Sequence, residues 1–273
     1  MSTYQPLAAG PFMRVGVVGC GRVGRSICFG IDGGRVHADL SAICDTNADR
    51  AQDLLFQLKR PARSMSLNGL VASVDLVIEA TNRHVAPTIM MAAINGGRDI
   101  LVTNPAAILA RDDFARLAHE RGLAIYAANA LLTGTGSLNT SGATPGAQVT
   151  LSIACPVAVL AQAPFMRGRE TSATDGLRQV FQGDAADAMH AFPGLSNIIA
   201  AAWLGTSGEV LVRISAHELE SVTDIQLDIV ADKQQTSSRT RVESSQGEPM
   251  APEAMGLVAV GFLRWLVSSV RLT

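Results

Sequence analysis

Six residues constrain this chain more than any others: Gly19-Cys20-Gly21-Arg22-Val23-Gly24, directly after the apolar run Met13–Val18. A G-x-G-x-x-G spacing that follows a strand and opens a helix has a defined physical use. Gly19 permits a tight turn, Gly21 lets the backbone approach a pyrophosphate, and Gly24 lets the helix lie close on the strand. Arg22 and Val23 carry the loop into the helix, whose N-terminus offers unpaired N–H groups and the positive end of its dipole. A carboxylate completes the pattern. Asp45 ends the next apolar run, Leu40–Cys44, 21 residues beyond Gly24. A carboxylate there accepts hydrogen bonds from the adenosine ribose of a dinucleotide.

FAD and S-adenosylmethionine sites share parts of this pattern, but the full glycine spacing with its acid favours a nicotinamide dinucleotide. Asp45 favours NAD, because a 2′-phosphate would meet its charge. Arg50 falls about a turn into the next helix and leaves NADP open, since a nearby arginine can accommodate the extra phosphate.

The rest of the first half repeats one unit. Apolar runs at Met13–Val18, Leu40–Cys44, Val74–Ala80, Asp99–Thr103 and Leu123–Ala127 alternate with amphipathic stretches at Val23–Ile31, Ala48–Leu58, Pro87–Asn95 and Asp112–Arg121. Pro87 suits a first helical turn and Gly96-Gly97 a stop. Strands that are apolar throughout imply a parallel sheet covered on both faces. The ends of later strands should line the cofactor cleft. These are Ala80-Thr81-Asn82 and Thr103-Asn104; their small polar side chains suit either ribose and carboxamide or turns and helix caps.

After about residue 128 the pattern changes. Leu132–Gly146 is rich in Gly, Thr and Ser and reads as loop. Strands are expected at Gln148–Ala154, Glu209–Ala216, Val222–Ala231 and Thr236–Ser244, and helices at Asp184–Ala191, Ser196–Leu204 and Pro252–Val270. The expected fold is α/β: an N-terminal Rossmann-type parallel-sheet domain and a C-terminal α+β domain. The expected boundaries are a dinucleotide domain over 1–128, a substrate and dimerisation domain over 129–251, and a C-terminal helix over 252–273 that packs back on the first domain.

Composition excludes several classes. At 48% apolar and 17% charged, with a net charge of −2, the chain suits a globular protein and has no global pull toward nucleic acid or anionic membrane. Aromatics at 4% are too sparse for a base-stacking platform. No apolar run approaches the ~20 residues that span a bilayer. Only Lys59 and Lys233 are lysines among the 22 basic residues, so lysine-dependent chemistry has few candidates. Cys20, Cys28, Cys44 and Cys155 show no metal-ligand spacing, and no metal is expected. Unpaired core thiols and the absence of a signal peptide fit a cytoplasmic location.

Several segments resemble the L-aspartate dehydrogenase family. These are the loop Gly19–Gly24, Asp75–Ala80, Val102–Phe114 and, more specifically, Phe181-Gln182-Gly183-Asp184-Ala185 continuing to Phe192-Pro193 and Asn197–Ala200. The last run is similar to that family's F-E-G-x-A, F-P and N-V-A-A segments. Ile100–Asn104 is also similar to homoserine dehydrogenase, although Pro105 stands where a lysine follows there. The likeness implies a homodimer and hydride transfer between NAD(P) and an amino acid or its imine. It also implies that Asn197 faces the active site.

The departures fall on the substrate side. The family's P-S-G-A-I-G-G-L-D loop is matched by Ala128–Gly136, without the Asp. T-T-R-K-P becomes Ser152-Ile153-Ala154-Cys155-Pro156, and N-P-K-T-S becomes Ala251-Pro252-Glu253-Ala254-Met255. The family's catalytic histidine falls at Thr223-Asp224-Ile225.

Amine oxidation needs a group that manages a proton, and histidine is the usual one near neutral pH. His37 and His119 sit among charges, His84 at a helix start and His190 in an Ala-rich helix. His217, at a strand end beside Glu218, is the best acid–base candidate; its other reading is a satisfied structural histidine. Asn197 is read as an orienting amide or an N-cap, and Cys155 as an inert strand thiol rather than a nucleophile. The expected activity is NAD(P)-dependent oxidoreduction at a C–N bond with an altered pocket. The alternatives are a dinucleotide-binding sensor without catalysis, or carbonyl reduction of the homoserine dehydrogenase type.

Overall fold

The computed structural model describes residues 12–111, 113–128, 146–169, 176–206, 209–219, 221–232, 234–243 and 252–268. The described chain divides into two compact units. One is drawn from Met1–Thr103, Asp113–Tyr126 and Gly256–Leu272, the other from Asn104–Asp112 and Ala127–Met255.

The first unit follows the alternating pattern read from the sequence. Strands β1 (Met13–Val18), β2 (Ala38–Cys44), β3 (Arg63–Ser64), β4 (Leu76–Glu79), β5 (Asp99–Val102) and β6 (Ile125–Ala127) form one sheet in the order β3-β2-β1-β4-β5-β6. The pairs β1·β2, β1·β4, β2·β3 and β4·β5 are parallel. Helices α1 (Arg22–Asp32), α2 (Ala48–Gln57), α3 (Leu67–Ser73), α4 (Ala86–Asn95) and α5 (Phe114–Glu120) lie between the strands. Val15, Val17, Ile43, Val77, Ile78, Ile100 and Leu101 are fully buried, which is why these strands are apolar throughout. The strand order reverses between β1 and β4. In open α/β sheets ligands bind outside the carboxyl ends of the strands at such a switch point.

Two elements among the strands and α-helices of this unit carry no sequence expectation. The two-residue β3 is too short for any period, and α3 is seven residues with Asn68 and Gly69 in its first turn. The available signal was Ser66, whose hydroxyl accepts from the Gly69 N–H and caps α3.

The second unit holds a five-stranded sheet: β7 (Gln148–Pro156), β8 (Arg178–Asp184), β9 (Val210–His217), β10 (Val222–Ala231) and β11 (Gln234–Glu243), in the order β11-β10-β7-β9-β8. Only β7·β9 is parallel, so the sheet is mixed. Helices α6 (Val157–Leu160), α7 (Ala185–Ala191) and α8 (Ser196–Leu204) also belong here. Leu151, Ile153, Val212, Ile214, Ile225 and Leu227 form one core with Phe192, Leu195 and Ile199. Phe165, Phe181 and Phe192 pack with ring centroids 5.3–5.6 Å apart. The period of two read in β10 is realised: Ile225, Leu227 and Ile229 are buried while Asp224, Gln226 and Asp228 are half-exposed. Strand β8 went unread because it is a polar edge strand without apolar alternation.

The last helix, α9 (Pro252–Val267), packs on α1 within the first unit. A Cβ on Gly256 would come within 2.4 Å of Ser26, and one on Gly30 within 2.4 Å of Val260. Phe262 stacks on Tyr126 at 5.3 Å.

Candidate functional site

The three glycines of the loop do three different things. Gly19 has φ +101°, the left-handed region that a side chain disfavours, and a Cβ there would meet the Ala80 carbonyl oxygen at 2.4 Å. Gly24 is closer still: a Cβ would sit 1.8 Å from the Gly19 carbonyl oxygen. These two glycines are fixed by packing. Gly21 is the N-cap of α1 in extended backbone at φ −72°, ψ −170°, and a Cβ there would meet nothing within 4 Å. Packing leaves room for a Cβ at Gly21. Glycine there keeps the mouth of the helix open, as an approaching pyrophosphate requires. Val23 is half-buried and Arg22 exposed in the first turn of α1.

Asp45 braces this loop from below. One carboxylate oxygen accepts from the Cys20 N–H at 2.7 Å, the other from the Asn47 N–H at 2.8 Å. Its side chain is only 6% exposed, and the Arg50 guanidinium approaches to 3.7 Å. Arg50 was expected about a turn into the next helix, near enough to leave NADP open. It is the third residue of α2 and reaches back to Asp45, because α2 starts at Ala48 with Asn47 as its cap. Each carboxylate oxygen keeps lone-pair capacity beyond its backbone bond, so Asp45 can brace the loop and still accept a ribose hydroxyl.

At the end of β4, Glu79 is fully buried. It accepts two bonds on one oxygen, from the Thr81 N–H and the Thr81 hydroxyl, each at 2.7 Å. The Thr81 methyl lies against Gly19. The Asn82 side-chain oxygen accepts from the His84 and Val85 N–H groups and shapes the turn before α4. Ala80 and Thr103 are buried.

In the second unit the structure brings together two residues far apart in sequence. The Asn197 amide donates to the Asn104 side-chain oxygen at 3.2 Å and accepts from the Ala106 N–H at 3.3 Å. Asn197 is the second residue of α8, not its N-cap; Leu195 occupies that position. His37, His84, His119 and His190 are exposed. His217 is 8% exposed, and neither ring nitrogen has a partner among the described residues. A buried polar side chain without partners is expensive and calls for an explanation. No hydrogen bond joins it to Asn197.

The strand positions that match the family's lysine and its histidine, Cys155 and Thr223, are neutral and buried, while Ala154 at the matching arginine is half-buried. Cys155 and Thr223 are 0% and 3% exposed, and their side chains are hydrogen-bonded. Burial pushes the Cys155 thiol up to about 12, with the Thr223 bond opposing, so it stays protonated at neutral pH. Burial and then the Asp45 charge push Cys20 up to about 12. Asp224 is held below the usual carboxylate range, chiefly by its bond to Arg241 and helped by Arg239. Among the described residues no group of three or more His, Cys, Asp or Glu suits a metal ion. The loop expected at 132–146, apart from Gly146, most of the Ala128–Gly136 match, Ala251 and Lys233 lie outside the described residues.

Comparison with known proteins agrees with this geometry. Residues 19–127 match the family model "Homoserine dehydrogenase, NAD binding domain", and residues 138–267 match "Aspartate dehydrogenase, C-terminal". The chain is 30% identical over 268 residues to an L-aspartate dehydrogenase of Methanosarcina acetivorans, covering 95% of this chain and 99% of the relative. It is 29% identical over 269 residues to the one from Methanosarcina barkeri, with the same coverage. An aspartate dehydrogenase structure from Thermotoga maritima shares the fold with TM-score 0.67 and 14% identity, covering 96% of this chain and 99% of that one. Scyllo-inositol dehydrogenase from Lactobacillus casei, solved with bound NAD(H), shares the fold at TM-score 0.54 and 12% identity, covering 93% and 87%.

A parallel nucleotide-binding sheet with an intact phosphate loop, continued by a mixed-sheet unit, defines a nicotinamide-nucleotide-dependent dehydrogenase. Within that class the chain belongs to the L-aspartate dehydrogenase family.

Proposed function

We propose that this chain oxidises the C–N bond of an amino acid or amine with NAD, in a pocket altered from that of L-aspartate dehydrogenases. The observation that carries the altered pocket is the buried, neutral Cys155–Thr223 pair. A dicarboxylate needs cations, since desolvating a carboxylate without one is penalised by several kcal/mol. The residues present fit a dinucleotide: the tight turn at Gly19, whose own amide is held by the Cys44 carbonyl, open space at Gly21, first-turn amides of α1 at Arg22, Val23 and Gly24, and Asp45 for the adenosine ribose. Ala80, Thr81, Asn82, Thr103 and Asn104 then border the nicotinamide half. Bound NAD supplies the hydride acceptor. NADP is a weaker alternative, with Arg50 beside Asp45 as the group that would meet a 2′-phosphate.

His217 is the proposed proton acceptor for the amine. It is buried, and both ring nitrogens lack a hydrogen-bond partner among the described residues, so an imidazole nitrogen is not tied up elsewhere. Asn197, held by Asn104 and the Ala106 N–H, orients the substrate. The same reading assigns the dinucleotide role to residues 1–128, the substrate and dimerisation role to 129–251, a homodimer, and a cytoplasmic location. Among the described residues no helix is long and apolar enough to cross a membrane.

The test is a turnover panel of amino acids, amines and the matching keto acids with ammonia, using NAD and NADP. L-Aspartate should fall below the ordinary efficiency range, under ~10⁴ M⁻¹s⁻¹. His217→Ala should lower kcat on the best substrate by about 10²–10⁴-fold with NADH affinity unchanged. Efficient aspartate turnover overturns the altered pocket, and full activity in a folded His217→Ala overturns the base. NADH binding without turnover of any panel member favours a binding protein instead.

A further inference from the structure

We propose that Glu79 is a positioning residue for the cofactor, acting through Thr81 at the switch point of the sheet. The inference rests on the dinucleotide reading above. Glu79 ends β4 beside β1, paired with Val18, the last residue before the phosphate loop. Its side chain is completely buried, and one of its oxygens holds Thr81 through two short hydrogen bonds.

The hydrogen-bond geometry fixes a proton. An N–H can only donate, so the Glu79 oxygen facing the Thr81 N–H at 2.7 Å is an acceptor. The Thr81 hydroxyl lies 2.7 Å from that same oxygen, so it donates there too. The Asn82 carbonyl, 3.5 Å from the hydroxyl, is a much poorer acceptor than the Glu79 oxygen. With its one proton committed to Glu79, the Thr81 hydroxyl can meet a further partner only as an acceptor. A free threonine would offer both roles.

Position gives this a consequence. The Thr81 methyl would lie 2.9 Å from a Cβ on Gly19, and Ala80 sits over both Gly19 and Gly24. The Glu79–Thr81 bonds thus pin the β4 turn onto the glycine turn of the phosphate loop. A pyrophosphate offers only acceptor oxygens, so an acceptor-only hydroxyl gives it nothing. The matching ligand groups are donors on the far side of the pyrophosphate: a nicotinamide-ribose hydroxyl or the carboxamide NH₂. Glu79 therefore sets which half of the dinucleotide Thr81 reads.

The experiment measures binding of NADH, ADP-ribose and ADP by calorimetry to the full chain and its Thr81→Val, Thr81→Ser, Glu79→Gln and Glu79→Met variants, with melting temperatures as a folding check. Thr81→Val keeps the shape and loses the hydroxyl. It should weaken NADH about tenfold and leave ADP unchanged, as expected for one well-placed bond. Thr81→Ser and Glu79→Gln keep the hydroxyl and an acceptor oxygen and should bind NADH as the parent does. Glu79→Met should match Thr81→Val, and combining the two should add nothing. ADP-ribose following NADH identifies the ribose hydroxyl as donor; ADP-ribose following ADP identifies the carboxamide. Unchanged NADH affinity in Thr81→Val overturns the proposal. So does an equal loss for ADP and NADH, which would mark a merely structural role. Should Glu79→Met not fold, the Thr81→Val and Thr81→Ser pair decides alone. If the parent chain binds none of the three nucleotides, the dinucleotide reading has failed instead.

Discussion

Alanine at Gly21 and at Gly24 should separate ligand binding from folding within one loop. At Gly24 the new Cβ would lie 1.8 Å from the Gly19 carbonyl oxygen, about half a normal contact distance. Backbone is what stands in the way, so helix α1 or the glycine turn must move by more than an ångström. Overpacking of this kind is destabilising by roughly 3 kcal/mol. For domains of this size that is a fall in melting temperature of about 6–12 °C. At Gly21 the Cβ meets nothing within 4 Å and the backbone is extended. Replacing glycine by alanine at an N-cap is unfavourable by up to about 1 kcal/mol. Lower entropy of the unfolded chain returns about 0.4–1 kcal/mol. The melting temperature should therefore move by less than ~2 °C. The methyl instead occupies the approach to the helix N-terminus, and NADH affinity should fall at least tenfold, about 1.4 kcal/mol. The assays are a thermal melt without ligand and an NADH titration. Parent-like affinity in Gly21→Ala would refute the assignment of that space to the pyrophosphate. A parent-like melt for Gly24→Ala would refute the packing argument.

Two further outcomes follow from the second unit and the thiols. Asp224 is held below its ordinary value by Arg241 and Arg239, so its contribution is present above the unfolded carboxylate value near 3.9 and is lost as pH falls through the lower folded value. Asp224→Asn should thus be less stable than the parent at pH 7, by denaturant titration, with the difference shrinking below about pH 4. A gap that persists unchanged to pH 2 would contradict this. Burial raises the pKa values of Cys20, Cys28 and Cys155, so at pH 8 all three should resist iodoacetamide in the folded protein and react once it is unfolded in urea. Rapid native labelling of any of them would show that the thiol is not buried as described.

The parts legible in the sequence share a physical origin. The nucleotide unit is built from strands buried on both faces, so Val15–Val18 or Leu76–Ile78 must be apolar throughout, and the pattern cannot hide. Gly19 and Gly24 are equally exposed to reading, because only glycine tolerates their backbone and contacts. Strand β8 escaped because an edge strand has no need of apolar alternation, and Arg178-Gln179 gives none. Arg50 was singled out by its nearness in sequence, but its approach to the Asp45 carboxylate was not, because position along the chain says little about where a long side chain reaches.

The site shows the same divide at the level of single groups. Spacing identified Asp45, but could not show that its carboxylate is already engaged by the Cys20 and Asn47 amides. That engagement changes what Asp45→Ala would mean, since the loop loses its brace along with a ribose ligand. Glu79 is the reverse case. It read as one more residue of an apolar strand, Asp75-Leu76-Val77-Ile78-Glu79-Ala80, and nothing in spacing marked it. Burying a carboxyl group is tolerated only where hydrogen bonds compensate it. Here the compensation comes from the backbone and hydroxyl of Thr81, two residues on, at the mouth of the phosphate loop. A carboxyl group buried at the end of an otherwise apolar strand is therefore a signal in its own right, to be read by what it orients.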